Sequence, residues 1–505
     1  MENHYILSVL LGIPLLGAFF ILALPRHNAS LIRWVGLFFS VTTFIVSLIL
    51  LSKFDKLNAL FQFRDEFEWI STLKIYYSVG IDGISLPLLL LTTFLTPITM
   101  FSSWSSIQKR VKEFTFFMLL LEVGMIGVFV SLDMFLFYVF WEFMLIPMYF
   151  IIGIWGGEQR IYASIKFFIY TMAGSLLMLV AIIWVGNYAG TQSAGFTTLL
   201  SQYYILGPSI PIEIQKWMFL AFTVSFAIKV PLFPFHTWLP DAHTQAPTAG
   251  SVILAGVLLK MGTYGMIRFS IPIFPQSAQY FAPWISALAV IGIIYGALVA
   301  MVQKDMKKLV AYSSVAHLGF VVIGIFSFTP EGMQGAVLQM VNHGLSTGAL
   351  FLLVGVLYER THTREISEYG GIAKITPVFA TIFLIVCLSS IGVPGLNGFI
   401  GEFLILLGAF RSSVLNNQAF AIVAASGVIF AAVYLLWMYQ RVVLGPVKND
   451  KLLSLSDMNT KELISVGLLL IFIVWIGVYP ATFLSWSDAA VNNFVLKTTR
   501  QITGF

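Results

Sequence analysis

The sequence predicts an all-α polytopic membrane protein of about fourteen transmembrane helices, two of them broken, with two inverted five-helix repeats. Three observations lead there. The 505 residues are 58% hydrophobic and only 10% charged, with mean hydropathy +0.90, whereas a soluble domain carries about 25% charged residues. The apolar residues gather in runs of about 20, the length that crosses a bilayer. Several charged residues lie inside those runs, two of them beside Pro or Gly breaks. The net charge of +5 is no sign of nucleic acid, because the basic residues occupy short loops. Cys387 is the sole cysteine, which excludes an internal disulfide framework and a thiolate metal cluster.

In chain order the predicted spans lie near 4–24, 31–52, 84–105, 113–132, 134–156, 161–186, 216–238, 247–270, 280–303, 308–328, 332–358, 374–410, 418–441 and 462–484. The first lacks a basic leader and is followed at once by another span, so no cleaved signal peptide is expected. The charged, aromatic stretch 53–79 reads as an ordered extramembrane cap, and 187–215 as a polar loop on the same side. Four regions follow: 1–112, three spans with the cap; 113–270, a first repeat; 280–441, a second; and 442–505, a last span and tail. Alternate loops carry sixteen basic residues on one side and nine on the side of the termini. The richer side is expected to be cytoplasmic, with both termini outside.

The stretch 221–243, AFTVSFAIKVPLFPFHTWLPDAH, sits at the centre of this plan. It starts as a span and sets Lys229 just before Pro231 and Pro234. Proline lacks an N–H, so the carbonyls of Ala227 and Val230 are expected to lose their helical donors. Bare carbonyls and an ammonium survive at membrane depth only inside protein or along a wet cavity. The plain alternative, a kink with a snorkelling lysine, fits poorly, because Lys229 is far from the predicted helix ends. Lys166, near a helix entrance, can reach the interface and is left out of the set that follows.

Six further groups repeat the theme: Glu122, Glu142, Lys260, Glu402, His317 and His343, the last two of a residue type that can titrate near neutral pH. Each ionised group in hydrocarbon costs at least about 2.5–3.5 kcal/mol. Unpartnered, the set is a heavy burden; paired, it forms a path for ions. A single member such as His317 reads equally well as a structural histidine, but the set together reads as a path.

Lys229 lies at the break of the seventh span and Glu402 just past the Gly392–Gly398 break of the twelfth, where Pro394 frees the Ser390 carbonyl. Five spans separate them, an odd number, so the corresponding helices run oppositely. This predicts inverted repeats of spans 4–8 and 9–13, on topology alone.

The runs FWEFMLIPMYFIIGIWGG (140–157), KVPLFPFHTWLPDAHTQAPTAGSVILAGVLLKMGTYG (229–265) and SSVAHLGF (313–320) strongly resemble the antiporter-like subunits of respiratory complex I, relatives of Mrp-type sodium/proton antiporters. The likeness spans most of the chain. The acid at Glu402, where the L and N types usually carry lysine, and the absence of a long lateral helix resemble the M type. The resemblance implies that Glu142 and Lys229 form a glutamate–lysine pair and that Lys260 is the central lysine. It further implies that His317 and His343 bridge the axis, that Glu402 is the terminal acid, and that Glu122 is a second glutamate of less defined role. It implies a bacterial inner-membrane location and partners of the L and N types. NADH, FMN, iron–sulfur clusters and quinone are then expected in partner subunits and no cofactor or metal in this chain. Consistently, no GxGxxG, no GxxxxGK[ST] and no cluster-binding cysteine set occurs.

The chemistry is arguable without the resemblance. Desolvation disfavours the charged form of a buried lysine and a nearby carboxylate restores it. A carboxylate that moves therefore loads or unloads a lysine, through internal waters and without a cofactor. Three function classes remain: a proton-pumping subunit of a redox enzyme; an Mrp-type cation/proton antiporter or membrane-bound hydrogenase subunit; and a membrane scaffold, which the buried charges disfavour.

Overall fold

The structure, a computed structural model, describes residues 5–191 and 196–503. Position 4 of the first predicted span and 192–195 of the predicted polar loop lie outside the described residues. The helices are α1 (Ile6–Ala23), α2 (Ala29–Lys53), α3 (Ser85–Ser102), α4 (Val111–Val130), α5 (Met134–Phe143), α6 (Leu145–Trp155), α7 (Arg160–Thr191), α8 (Leu200–Leu206), α9 (Ile212–Lys229), α10 (Trp238–Gln245), α11 (Thr248–Ile273), α12 (Pro275–Met301), α13 (Met306–Phe326), α14 (Pro330–Thr361), α15 (Pro377–Ile391), α16 (Asn397–Arg411), α17 (Ala419–Val443), α18 (Thr460–Val478) and α19 (Ala481–Thr503). Among the described residues, twelve helical segments are long and apolar enough to cross a membrane, α5 and α6 counting as one. The predicted spans 216–238 and 374–410 are the exceptions. One ends at Lys229 and the other divides into α15 and α16, so neither gives a continuous apolar helix.

The bundle has an inside and an outside. The most apolar stretches of α11 and α14 are 100% buried and that of α13 is 94% buried, while α2 has 28% buried. Helices covered on every face are the ones that can carry polar groups past lipid. α11 and α14 cross where Gly256 and Gly344 face each other. A Cβ at Gly344 would stand 2.9 Å from the Gly256 carbonyl and 2.7 Å from Leu91, so only glycine lets these backbones approach so closely. That crossing sets Lys260, one turn on, beside His343.

Three local expectations are corrected and one, the cap, is given its form. The Ala227 carbonyl is not bare, because the Leu232 N–H reaches back to it at 2.7 Å, and the Ile228 carbonyl accepts from Trp238 Nε1 at 2.8 Å. The chain repairs its own break with one longer turn. The cap 53–79 contains an antiparallel hairpin, β1 (Gln62–Ile70) with β2 (Ile75–Ile81), in an otherwise helical chain. The end read as a tail forms the 23-residue α19. Arg268, counted among loop cations, lies inside α11 and is 4% exposed.

Candidate functional site

A line of polar side chains runs from the end of the first half into the second through the interior of the bundle. Lys260 sits in a short α-helical turn between two π-helical turns, Leu254–Leu258 and Met266–Ser270. Such widened turns recur at functional sites. Its ammonium donates to the Ala255 carbonyl and lies 2.7 Å from His343 Nδ1. The rings of His343 and His317 are 6.1 Å apart. A cavity of about 10 Å³, lined by both histidines with Gln339, Asn342, Ser346 and Ser389, adjoins this gap, near the size that holds one water. His317 Nδ1 then meets Glu402 Oε1 at 3.0 Å, to which Gln339 Nε2 donates at 3.1 Å. All four principals are buried: Lys260 0%, His343 3%, His317 4% and Glu402 4% exposed.

The break before α16 positions Glu402. Gly392 and Gly395 take left-handed φ of 84° and 92°, conformations that favour glycine. A Cβ at Gly392 would lie 2.8 Å from Glu402 Oε2, so the carboxylate rests against the break. Asn397, fully buried, holds the break together: its Oδ1 accepts from Ser389 Oγ at 2.5 Å, and its carbonyl accepts from Asn342 Nδ2 at 2.8 Å.

The first half is looser. Lys229 is fully buried, its amine 3.6 Å from Met144 Sδ and over the rings of Trp141 (5.6 Å) and Phe167 (5.2 Å). Glu142 lies near enough for the two charges to act on each other, but no direct ion pair joins them, and Glu142 Oε1 has no hydrogen-bond partner among the described residues. Both carboxylate oxygens of the fully buried Glu122 likewise lack one. Internal water is the ordinary way to complete such groups.

Sequence reasoning passed over several buried groups. His243 is fully buried, stacked 4.6 Å from Phe351, with both ring nitrogens unpartnered among the described residues. Lys307, 5% exposed, donates to the Ala246 carbonyl at 2.5 Å and lines a polar cavity of about 120 Å³ with Gln245, Thr248 and Arg364. Lys166, partly exposed near its helix entrance, pairs with Asp241 at 2.6 Å and ties α10 to α7. His243 and Asp241 stood within the quoted stretch 221–243, where a charge read by its helical register was the available signal. No group of three or more His, Cys, Asp or Glu suited to a metal occurs among the described residues.

A many-helix membrane bundle with a buried lysine–histidine–glutamate line defines an antiporter-like class of protein. The family model described as NADH:quinone oxidoreductase/Mrp antiporter, TM, matches residues 131–431, and that of NADH-ubiquinone oxidoreductase chain 4, amino terminus, matches 13–130. The chain belongs to this family of NADH:quinone oxidoreductase and Mrp antiporter membrane subunits. NADH-quinone oxidoreductase subunit M of Rhodobacter capsulatus is 47% identical, over 95% of this chain and 94% of that protein. Its counterpart from Rickettsia prowazekii is 45% identical over 97% and 99%, and NADH-ubiquinone oxidoreductase chain 4 of Arabidopsis thaliana is 46% identical over 98% of each. A chain in respiratory complex I from Thermus thermophilus with bound NADH superposes with TM-score 0.86 at 32% identity, covering 98% and 99%. The Mrp complex from Dietzia superposes equally well, at 0.86 over 99% of both chains, but at 19% identity shows the fold alone.

Proposed function

We propose that the chain works as the proton-translocating, M-type membrane subunit of a respiratory NADH:quinone oxidoreductase, driven by redox chemistry in partner subunits. The observation that carries it is the buried line Lys260–His343–His317–Glu402. Every member can bind or release a proton, and each of the four side chains is buried in the bundle interior. The identity of 44–47% to subunit M relatives across nearly the whole chain favours this reading over a cation/proton antiporter.

In this reading Glu142 and Lys229 load the path: a charge change at Glu142 alters how firmly Lys229 holds its proton. Lys260 receives the proton, the histidines and an intervening water carry it, and Glu402 delivers it. Glu122 assists as a second acid at the first-half end. The inverted repeats, spans 4–8 and 9–13, supply one broken helix each, and the four regions read from the sequence are the working units. Both termini and the hairpin face outward in a bacterial inner membrane. NADH, FMN, iron–sulfur clusters and quinone belong to partners, among them the L-type and N-type chains. This chain itself holds no redox centre.

Lys260→Arg tests the path, because a guanidinium stays protonated and cannot pass its proton on. In sealed vesicles, the assembled variant is expected to lose most donor-driven proton uptake. Full uptake would show that Lys260 supplies charge and not transfer.

A further inference from the structure

Arg268 stands on the same helix as Lys260, eight residues nearer the hairpin face, or about 12 Å at the usual helical rise. Its Nη2 meets Asp82 Oδ1 at 2.6 Å, and both side chains are almost wholly buried. Asp82 follows β2 and caps the start of α3, its Oδ1 also accepting from the backbone N–H of Ile84 and Ser85 at 3.0 Å. Arg268 Nε donates to the Tyr264 hydroxyl at 3.1 Å, which in turn donates to the Phe129 carbonyl at 2.9 Å. The guanidinium is also covered by the Phe61 ring, 4.8 Å away. One side chain thus ties α11 to α3, α4 and the approach to the hairpin.

We infer that the Arg268–Asp82 pair is a proton-tight plug that closes the hairpin-side end of the first half, so that a proton on Lys260 leaves only through His343. The inference rests on the relay reading above. Its grounds are chemical. A guanidinium stays protonated, so it neither accepts nor relays a proton. Asp82 Oδ1 is held by three donors, and the Tyr264 proton is committed to a carbonyl. At the opposite face the same helix begins beside the polar cavity with Lys307, and His243 has two free ring nitrogens among the described residues. Toward one face Lys260 thus has a polar cavity and two unpartnered imidazole nitrogens, and toward the other a guanidinium, a carboxylate and a hydroxyl held by one another and by the backbone. Stability alone is a weak reason for such a pair, because desolvation offsets much of the attraction between two buried charges.

The test is passive leak, measured without turnover. The intact complex is placed in sealed liposomes of phosphatidylethanolamine and phosphatidylglycerol with a trapped pH dye, under a potassium–valinomycin clamp and without NADH. After an acid jump, Arg268→Met is expected to leak protons several-fold faster than wild type. Adding Lys260→Met should return the leak to the wild-type rate, and the exchanged pair Arg268→Asp with Asp82→Arg should slow it. Where Arg268→Met does not assemble, Arg268→Gln, which retains a donor but no charge, is read in the same way. Wild-type leak in the assembled Arg268 variant, or a leak indifferent to Lys260, overturns the plug. The relay reading fails separately, by full donor-driven uptake in Lys260→Arg with Arg268 intact.

Discussion

His317 and Glu402, on different helices and eighty-five residues apart, meet at 3.0 Å between Nδ1 and Oε1 in the interior of the bundle. Tyr434 approaches the other imidazole nitrogen at 3.4 Å. The imidazole therefore sits between the Glu402 carboxylate and the Tyr434 hydroxyl, with its ring 6.1 Å from that of His343. His317→Ala should leave the complex assembled and slow proton transfer by about a hundredfold, the lower end of what a positioned proton carrier contributes. The measurement is donor-driven uptake by sealed vesicles at matched subunit content. Unchanged uptake would reduce His317 to a hydrogen-bonding spacer.

Glu142 and Lys229 give a second prediction, of non-additivity. Glu142→Ala and Lys229→Ala should each largely abolish pumping while assembly persists, and the double variant should be no worse than either. Groups that act as one unit behave in this way. An assembled single variant that pumps nearly normally, or a double variant far below both, would separate the two residues.

The break before α16 yields a prediction about stability. A Cβ at Gly398 would stand 2.2 Å from the Ser389 carbonyl, whereas at Gly467, within α18, it would meet nothing within 4 Å. Gly398→Ala should cost about 1–3 kcal/mol through forced backbone shifts. Gly467→Ala should stabilise its helix by up to about 1 kcal/mol. Thermal unfolding of the detergent-solubilised protein compares them, and equal midpoints would show that the break yields freely.

How much of this was legible follows from what each signal depends on. Lys229, Lys260 and Glu402 stood out because a charge inside an apolar run is visible without tertiary information. The breaks stood out because proline and glycine act locally. The repair of the Ala227 carbonyl by Leu232 was not legible, since it depends on the turn the chain takes after losing its donor. The contact between Lys260 and His343 was implied only by resemblance, because the Gly256–Gly344 crossing that creates it joins distant helices. Arg268 was misplaced because a cation near a predicted span end reads as a loop residue until its partner, Asp82, comes into view. The hairpin is hidden in the sequence by the charges of β1, of which Arg64, Glu66 and Glu68 face out and Asp65 is buried, while most of β2 is buried. The helix α19 is not evident in the sequence because its polar residues dilute the apolar signal.

The central claim is that Glu402 delivers the protons carried along this line, and the most direct measurement is donor-driven proton uptake by sealed vesicles carrying Glu402→Gln or Glu402→Lys. Glutamine keeps the shape and hydrogen bonding of the side chain but carries no proton; lysine restores a titratable group at the same place. The account predicts that the glutamine variant loses pumping and that the lysine variant keeps part of it, with both complexes intact. Wild-type pumping by an intact Glu402→Gln complex would contradict the account.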